Sequence, residues 1–170
     1  MNKVLAHWNQ LPEEDAAQQI LPCCGSVSWA RRLVSRRPIE DEQSLASGSD
    51  EVWNGLTTDD WMEAFAKHPR IGERNVADSA GALSAAWSAQ EQSSVVTAEQ
   101  EIQFALAEGN RAYEHRFGRV FIVCATGKSA SEMLEILRRR LGNDDETELR
   151  EAAEEQRKIT NLRLRKWLCS

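Results

Sequence analysis

The sequence has few cysteines, and their spacing fits neither a metal site nor a set of disulfide bonds. Four occur in 170 residues: Cys23 and Cys24 are adjacent, while Cys124 and Cys169 have no cysteine or histidine nearby at ligand spacing. This pattern favours reduced thiols and a cytoplasmic protein without a metal ion. We therefore interpret Cys23 and Cys24 as structural.

Long apolar runs and an excess of positive charge are also missing. No run approaches the ~20 apolar residues of a membrane span, and the stretch "MNKVLAHWNQLPEED" lacks the apolar core of a signal peptide. Lysine and arginine number 21 against 27 acidic residues, a formal charge of −6. Because proteins that neutralise nucleic-acid phosphates normally carry the opposite sign, we expect no nucleic-acid partner. Because no apolar run is long enough for a span, we expect no membrane partner.

Several catalytic motifs are absent. There is no glycine-rich phosphate loop, no HExxH, no GxSxG and no redox cysteine pair. Histidine is scarce, with only His7, His68 and His115. If the protein is an enzyme, these absences favour one that works without a cofactor.

Most of the sequence carries signals for the beginning and end of helices. Pro12 and the acids after it suit a helix start, and Thr57 or Thr58 can cap a helix. That helix should end at His68, because Pro69 disfavours helical geometry in the residue before it. The remaining helices are predicted in segments 26–37, 39–55, 82–94, 97–117, 129–141 and 144–168. Two of them, 97–117 and 129–141, open with capping boxes at 97–100 and 129–132.

The segment "VFIVCAT" at 120–126 is the one apolar run rich in β-branched residues. It predicts a short buried extended segment, but a lone strand has no sheet to join. The predicted fold class is therefore all-α. We expect a single compact domain over residues 1–170, with about seven or eight helices and this one extended segment.

Four features could carry chemistry, and each has a structural alternative. His68 is either a general acid or base or a packing histidine. Ser88, Glu91 and Gln92 share a helix face that is either a polar site or a solvated surface. Arg163 shares a face with apolar residues, so its guanidinium binds either a substrate carboxylate or an Asp or Glu in a structural ion pair. Unpaired backbone groups in 120–126 need an amide-like ligand or bridging water.

The sequence also resembles a known family. "AFAKHPRIG", "SAQEQ", "NRAYEHRFGRVFIVCATGKS" and "KITNLRL" stand in the order and spacing of the OHCU decarboxylase family, and "RPIEDEQSL" and "VWNGL" extend the resemblance over nearly the whole chain. OHCU is 2-oxo-4-hydroxy-4-carboxy-5-ureidoimidazoline, the product of 5-hydroxyisourate hydrolysis in uric acid breakdown. The resemblance implies an all-helical homodimer that converts OHCU to (S)-allantoin and CO₂ without a cofactor, in a pathway shared with 5-hydroxyisourate hydrolase.

The resemblance also implies roles for individual residues. His68, Glu91 and Arg163 match the family's catalytic positions. Its substrate-binding positions correspond to Pro69, Ser88, Ala89, Gln90, Gln92, Phe121, Ile122, Val123, Cys124 and Ala125. Two other functions remain open at this stage: a helical adaptor that has lost the reaction, and a lyase for a related ureido acid.

Overall fold

The computed structural model describes residues 2–71 and 89–170, with side chains described for 2–71 and 99–170. The described residues form eight helices and no strand, which confirms the all-α class. None of these helices is long and apolar enough to cross a membrane. They are α1 (Lys3–Gln10), α2 (Glu13–Cys24), α3 (Val27–Val34), α4 (Glu42–Asn54), α5 (Thr58–Phe65), α6 (Ala89–Phe117), α7 (Ala130–Arg140) and α8 (Asp145–Leu168).

Several predicted helix boundaries are confirmed, because local capping determines them. Pro12 is the N-cap residue of α2. Thr57 caps α5 and Ser129 caps α7, each in a complete capping box with the acid three residues later. Helix α6 ends at Gly118, whose φ of +66° is a left-handed conformation that glycine adopts without a steric penalty.

Two predictions about helices were wrong or incomplete. No helix is predicted from the sequence before Pro12, yet α1 forms there, capped by the side chain of Asn2 and burying Leu5 and Trp8. The predicted boundary between helices at Thr97 does not exist, because α6 runs unbroken from Ala89. A Thr-x-x-Gln pattern starts a helix only where the preceding residue leaves helical geometry, and here the chain is already helical.

The chain divides into two compact units, Met1–Lys67 with Arg150–Ser170 and His68–Leu149. The first unit contains three buried tryptophans, Trp8, Trp29 and Trp53, whose indole N–H groups donate to protein acceptors. Trp8 donates to the Ala16 carbonyl at 2.9 Å, and Trp53 donates to the Ala153 carbonyl at 2.9 Å. Helix α3 packs against α2, α4 and α5. The prediction of one domain over 1–170 stays a prediction.

The second unit contains α6, α7 and the extended segment 120–126. Its core consists of Leu106, Tyr113, Phe117, Phe121, Val123, Met133, Leu134 and Leu137. Helices α6 and α7 approach closely at Gly109, where an added Cβ would lie 2.6 Å from Leu137 Cδ2. The extended segment packs against α6, since the ring centres of Phe121 and Tyr113 are 5.3 Å apart.

Candidate active site

His68 lies in a loop after α5. The predicted helix end at His68 was wrong: α5 ends at Phe65. The N–H of Lys67 donates to the Ala64 carbonyl at 3.1 Å, a bond three residues back that closes the last turn early. Pro69 keeps His68 out of helical geometry. The helix dipole acts mainly within the last turn, and His68 lies beyond that turn.

The residues that follow His68 are held by α6. His68 is half-buried and Pro69 is exposed. Arg70 forms two hydrogen bonds with Glu114, at 2.5 and 3.0 Å, and this pairing holds the pKa of the Glu114 carboxyl below its ordinary value. Asn110 Nδ2 donates to the carbonyl of Ile71 at 2.8 Å. The loop is therefore fixed at two successive residues.

The same loop forms one wall of a cavity of about 240 Å³. Two carboxamide oxygens, Asn110 Oδ1 and Gln103 Oε1, are buried and have no hydrogen-bond partner among the described residues. The cavity is lined by Arg70, Ile71, Gln103, Ala107, Asn110, Arg111 and Glu114.

The predicted extended segment is present and buried. Phe121, Ile122, Val123 and Cys124 are buried and Ala125 is exposed. Ile71 packs against the core cluster that contains Phe121 and Val123. The structure therefore brings the loop after His68 and this segment onto one cluster of the second unit.

Cationic side chains bind two backbone carbonyls of the extended segment. Arg140 Nη1 donates to the Ile122 carbonyl at 2.5 Å, and Lys128 Nζ donates to the Cys124 carbonyl at 2.8 Å. The sequence left these groups to a ligand or to bridging water. At these two positions the protein supplies the donor itself, although a carbonyl has a second lone pair that can accept another bond.

Arg140 belongs to a buried network that was not predicted. Its Nε and Nη2 both donate to Glu148 Oε1, at 2.9 and 2.5 Å, and its guanidinium lies 4.7 Å from the ring centre of Phe121. Tyr113 Oη donates to the same oxygen at 2.5 Å, and Asn143 Nδ2 donates to Glu148 Oε2 at 2.9 Å. Burial and the Glu148 carboxylate raise the pKa of Tyr113 well above its usual range. The phenol is therefore a hydrogen-bond donor.

A weak sequence signal for this network exists. Arg140 follows Leu137 by three residues and Met133 by seven, which is the spacing of the apolar face of α7. Glu148 precedes the buried Ala152 by four residues in the same way. Charged residues at apolar positions indicate a buried pair, although the sequence does not say which residues pair.

Arg163 lies in the first unit, in α8. Its side chain is half-buried, while Arg165 and Lys166 are exposed. Arg163 Nη1 donates to the carbonyl of Pro22, at a long 3.4 Å. In the described part of the chain, its hydrogen-bond partner is thus a backbone carbonyl of α2, whereas the structural alternative predicted an ion pair.

Arg163 is also close enough to the paired cysteines to affect them. Burial raises the pKa of the Cys23 thiol to about 11 and that of Cys24 to about 12, and the positive charge of Arg163 opposes both shifts. Both thiols are therefore protonated at neutral pH. Among the described residues, no group of three His, Cys, Asp or Glu side chains is placed to hold a metal ion.

The structure leaves the predicted polar face untested. Ser88 lies outside the described residues. Residues 89–92 begin α6, but the side chains of Ala89, Gln90, Glu91 and Gln92 also lie outside them. Of the predicted site residues whose side chains the structure describes, His68, Pro69 and 121–125 lie in the second unit and Arg163 lies in the first unit.

The chain is similar to known proteins over most of its length. The family model described as OHCU decarboxylase matches residues 9–165. The uric acid degradation bifunctional protein TTL of Arabidopsis thaliana is 38% identical over 146 residues, 85% of this chain. The 2-oxo-4-hydroxy-4-carboxy-5-ureidoimidazoline decarboxylase of Amia calva is 30% identical over 136 residues, which are 79% of this chain and 77% of that protein.

A solved structure has the same fold along the chain. It is described as a crystal structure of OHCU decarboxylase in the presence of (S)-allantoin, with a TM-score of 0.71 and 33% identity. The match covers 94% of this chain and 100% of that one. By contrast, this chain spans only 44% of the Arabidopsis protein. From residue 9 to residue 165, the chain belongs to the OHCU decarboxylase family.

Proposed function

We propose that the protein is a carboxy-lyase that converts OHCU to (S)-allantoin and CO₂ in uric acid breakdown. The observation that carries this proposal is the position of His68, a half-buried imidazole in a loop whose next residues are held by α6. Membership in the family supports the reaction. The related crystal structure obtained in the presence of (S)-allantoin supports the product.

The reaction determines what the site has to do. The bond between the ring carbon and the carboxylate breaks, CO₂ leaves, and the electron pair passes to the ring, where the adjacent C=N can receive it. A proton added to one face then gives a single enantiomer. The site must hold the carboxylate out of the ring plane, stabilise the developing negative charge and protonate one face.

His68 suits the proton-transfer step. An imidazole titrates near neutral pH and is the most common general acid or base. We assign His68 as the proton donor or as the acid that orients the substrate, beside Pro69. From the family resemblance, we assign Glu91 to the hydroxyl or ureido N–H groups of the substrate and to control of the protonation state of His68.

Arg163 suits the anionic end of the substrate. Its hydrogen bond to the Pro22 carbonyl is long, at 3.4 Å. A carboxylate would form a shorter, charge-assisted bond with the same guanidinium. The backbone of residues 121–125 would hold the ring and ureido groups, with Ser88, Ala89, Gln90 and Gln92 as further contacts, as the family resemblance implies.

Four further properties are part of the proposal. The reaction needs no metal or organic cofactor, the protein is a cytoplasmic homodimer, and it acts directly after 5-hydroxyisourate hydrolase. The bifunctional uric acid degradation relative of Arabidopsis supports the link to a second step of the same breakdown. Light scattering on the purified protein tests the dimer.

The stereochemistry of the product tests the reaction. Urate is supplied with urate oxidase and 5-hydroxyisourate hydrolase, and allantoin is followed by circular dichroism with and without this protein. We expect rapid growth of the signal of one enantiomer only when the protein is present. OHCU also decays unaided to racemic allantoin, so the formation of allantoin alone does not identify the enzyme.

Two other results would contradict the proposal. A racemic product at the unaided rate would favour an adaptor that has lost the reaction. Stereospecific turnover of another ureido acid, but not of OHCU, would favour a lyase with a different substrate.

A further inference from the structure

Asn110 has a buried side-chain amide, and among the described residues only one of the two polar atoms of this amide has a hydrogen-bond partner. It lies in α6 with 3% of its surface exposed. Its Nδ2 donates to the Ile71 carbonyl at 2.8 Å, whereas its Oδ1 has no partner among the described residues. Ile71 is three residues after His68 in the chain.

The orientation of this amide follows from the chemistry of its partner. The Ile71 carbonyl only accepts hydrogen bonds, so the NH₂ end of Asn110 has to face it. Turning the amide over would place its oxygen against another acceptor, the Ile71 carbonyl. The unpaired oxygen is therefore a consequence of holding Ile71.

Stability alone does not favour this arrangement. Burying an acceptor without a partner is at least as unfavourable as one intramolecular hydrogen bond is favourable. An apolar residue of similar size has no such unpaired atom. The net effect of Asn110 on the folded state is accordingly small or unfavourable, and its specific effect is on the position of the Ile71 carbonyl.

The connection from Ile71 back to His68 is short and stiff. Only Pro69 and Arg70 intervene, and the proline ring restricts φ. Arg70 is held by Glu114, one helical turn after Asn110, and the side chain of Ile71 packs on the cluster that contains Phe121. A shift of the Ile71 carbonyl would be transmitted to the imidazole.

We propose that Asn110 is a positioning residue for His68: its hydrogen bond to Ile71 fixes the loop in the geometry that proton delivery needs, without stabilising the fold. This inference rests on the proposed role of His68. Misplacing a catalytic group by about 1 Å can lower the rate on the order of 100-fold. Losing one hydrogen bond three residues from His68 is therefore enough to lower the rate measurably.

The kinetic test compares Asn110→Leu with Gln103→Leu. Both replace a carboxamide in α6 whose oxygen has no partner among the described residues, but of the two only Asn110 donates to the described part of the loop. For Asn110→Leu we expect kcat for (S)-allantoin formation to fall roughly 10- to 100-fold, with KM within about threefold and an unchanged or higher Tm. Gln103→Leu should keep kcat within about threefold.

Asn110→Ala provides a second test of the same claim. It removes the donor without adding an apolar side chain, and it should lower kcat as Asn110→Leu does. If both Asn110 variants unfold or lose most of their thermal stability, Asn110 is a structural residue and the proposal is wrong. Equal loss of kcat in Gln103→Leu also overturns it.

A readout without substrate separates this proposal from the proposed function. The chain has three histidines, so imidazole NMR resonances are few, and His68→Asn identifies the signal of His68. We expect Asn110→Leu to shift or broaden the His68 resonances and to leave those of His7 unchanged. Unchanged His68 resonances overturn the positioning role whatever the rate, and a shift supports it even if the parent protein does not act on OHCU.

Discussion

Arg140 and Glu148 form an ion pair in the interior of the second unit, with 1% and 0% of their side chains exposed and Nη2 2.5 Å from Oε1. Such a pair is stable only when its remaining donors and acceptors are also satisfied. Tyr113, Asn143 and the Ile122 carbonyl supply these partners. The pair therefore couples α6, α7, the start of α8 and the extended segment.

The first prediction concerns this pair. Arg140→Met leaves the Glu148 carboxylate buried without a cation and removes the donor to the Ile122 carbonyl. Leaving an uncompensated buried charge lowers the free energy of unfolding by about 3–5 kcal/mol. Urea unfolding followed by circular dichroism measures the change.

Arg165→Gln is the control for Arg140→Met. Arg165 lies 3.6 Å from Glu42, and both side chains are mostly exposed. An exposed pair of this kind contributes about 0–1 kcal/mol. Similar losses in the two variants would show that the buried network is not a major source of stability.

The capped helices could be predicted because their signals are local. Thr57 and Ser129 each act on residues within one turn, so a few letters of sequence contain the whole interaction. Asn2 shows the same signal, with Leu5 and Trp8 on one face, and α1 could have been recognised from it. Thr97 has the sequence pattern of an N-cap, but no helix begins there because the chain is already helical from Ala89.

The contacts that fix the candidate site could not be predicted, because their partners are far apart in the chain. Asn110 and Ile71 are 39 residues apart, and Arg70 and Glu114 are 44 apart. Spacing identifies residues on one face of one helix, but it does not say which loop packs there. The family resemblance identified His68, whereas only the structure identifies the residues that hold its loop.

The second prediction concerns Arg163. Arg163→Gln should lower kcat/KM for OHCU by about 10- to 150-fold, because a hydrogen bond to a charged group contributes about 1.5–3 kcal/mol. The effect should fall mainly on KM if the substrate carboxylate is bound before CO₂ leaves. Steady-state kinetics with the circular dichroism assay measures both constants.

Arg165→Gln is also the matched control for Arg163→Gln, since it removes an exposed arginine from the same helix. It should leave kcat/KM unchanged. A second readout requires no substrate: the charge of Arg163 lowers the pKa of Cys23, so Arg163→Gln should raise the pH at which that thiol is alkylated. Unchanged kinetics in Arg163→Gln would remove Arg163 from the proposed mechanism.

The third prediction is a loss of stability at alkaline pH. Burial raises the pKa of Cys23 from 9.0 to about 11 and that of Cys24 from 9.0 to about 12. Between pH 9 and 11 the unfolded chain releases thiol protons that the folded chain keeps. Because the unfolded state binds fewer protons there, the free energy of unfolding falls as pH rises, by up to ~1.4 kcal/mol per pH unit for each thiol.

Urea unfolding from pH 8 to 10.5 tests whether the free energy of unfolding falls as pH rises. Cys23→Ala should flatten the fall above pH 9, because one titrating thiol has been removed. Cys169→Ala should not, because Cys169 is exposed. An equal slope in the parent protein and in Cys23→Ala would show that the buried thiol does not control alkaline stability.

The last prediction tests the role of His68 directly. Asparagine has a polar side chain of similar reach but no group that transfers a proton near neutral pH, so His68→Asn should lower kcat by about 10²- to 10⁴-fold. Because His68 is half-buried in a loop and outside the core cluster, Tm should stay close to that of the parent.

The control is His115→Asn, which replaces an exposed histidine of the same unit and should retain full activity. The stereochemistry gives the sharpest result: with His68→Asn, the unaided decay of OHCU should dominate, so the allantoin should be nearly racemic. Formation of (S)-allantoin at a near-normal rate would rule out His68 as the proton donor, since no other group in the proposal delivers a proton to one face of the ring.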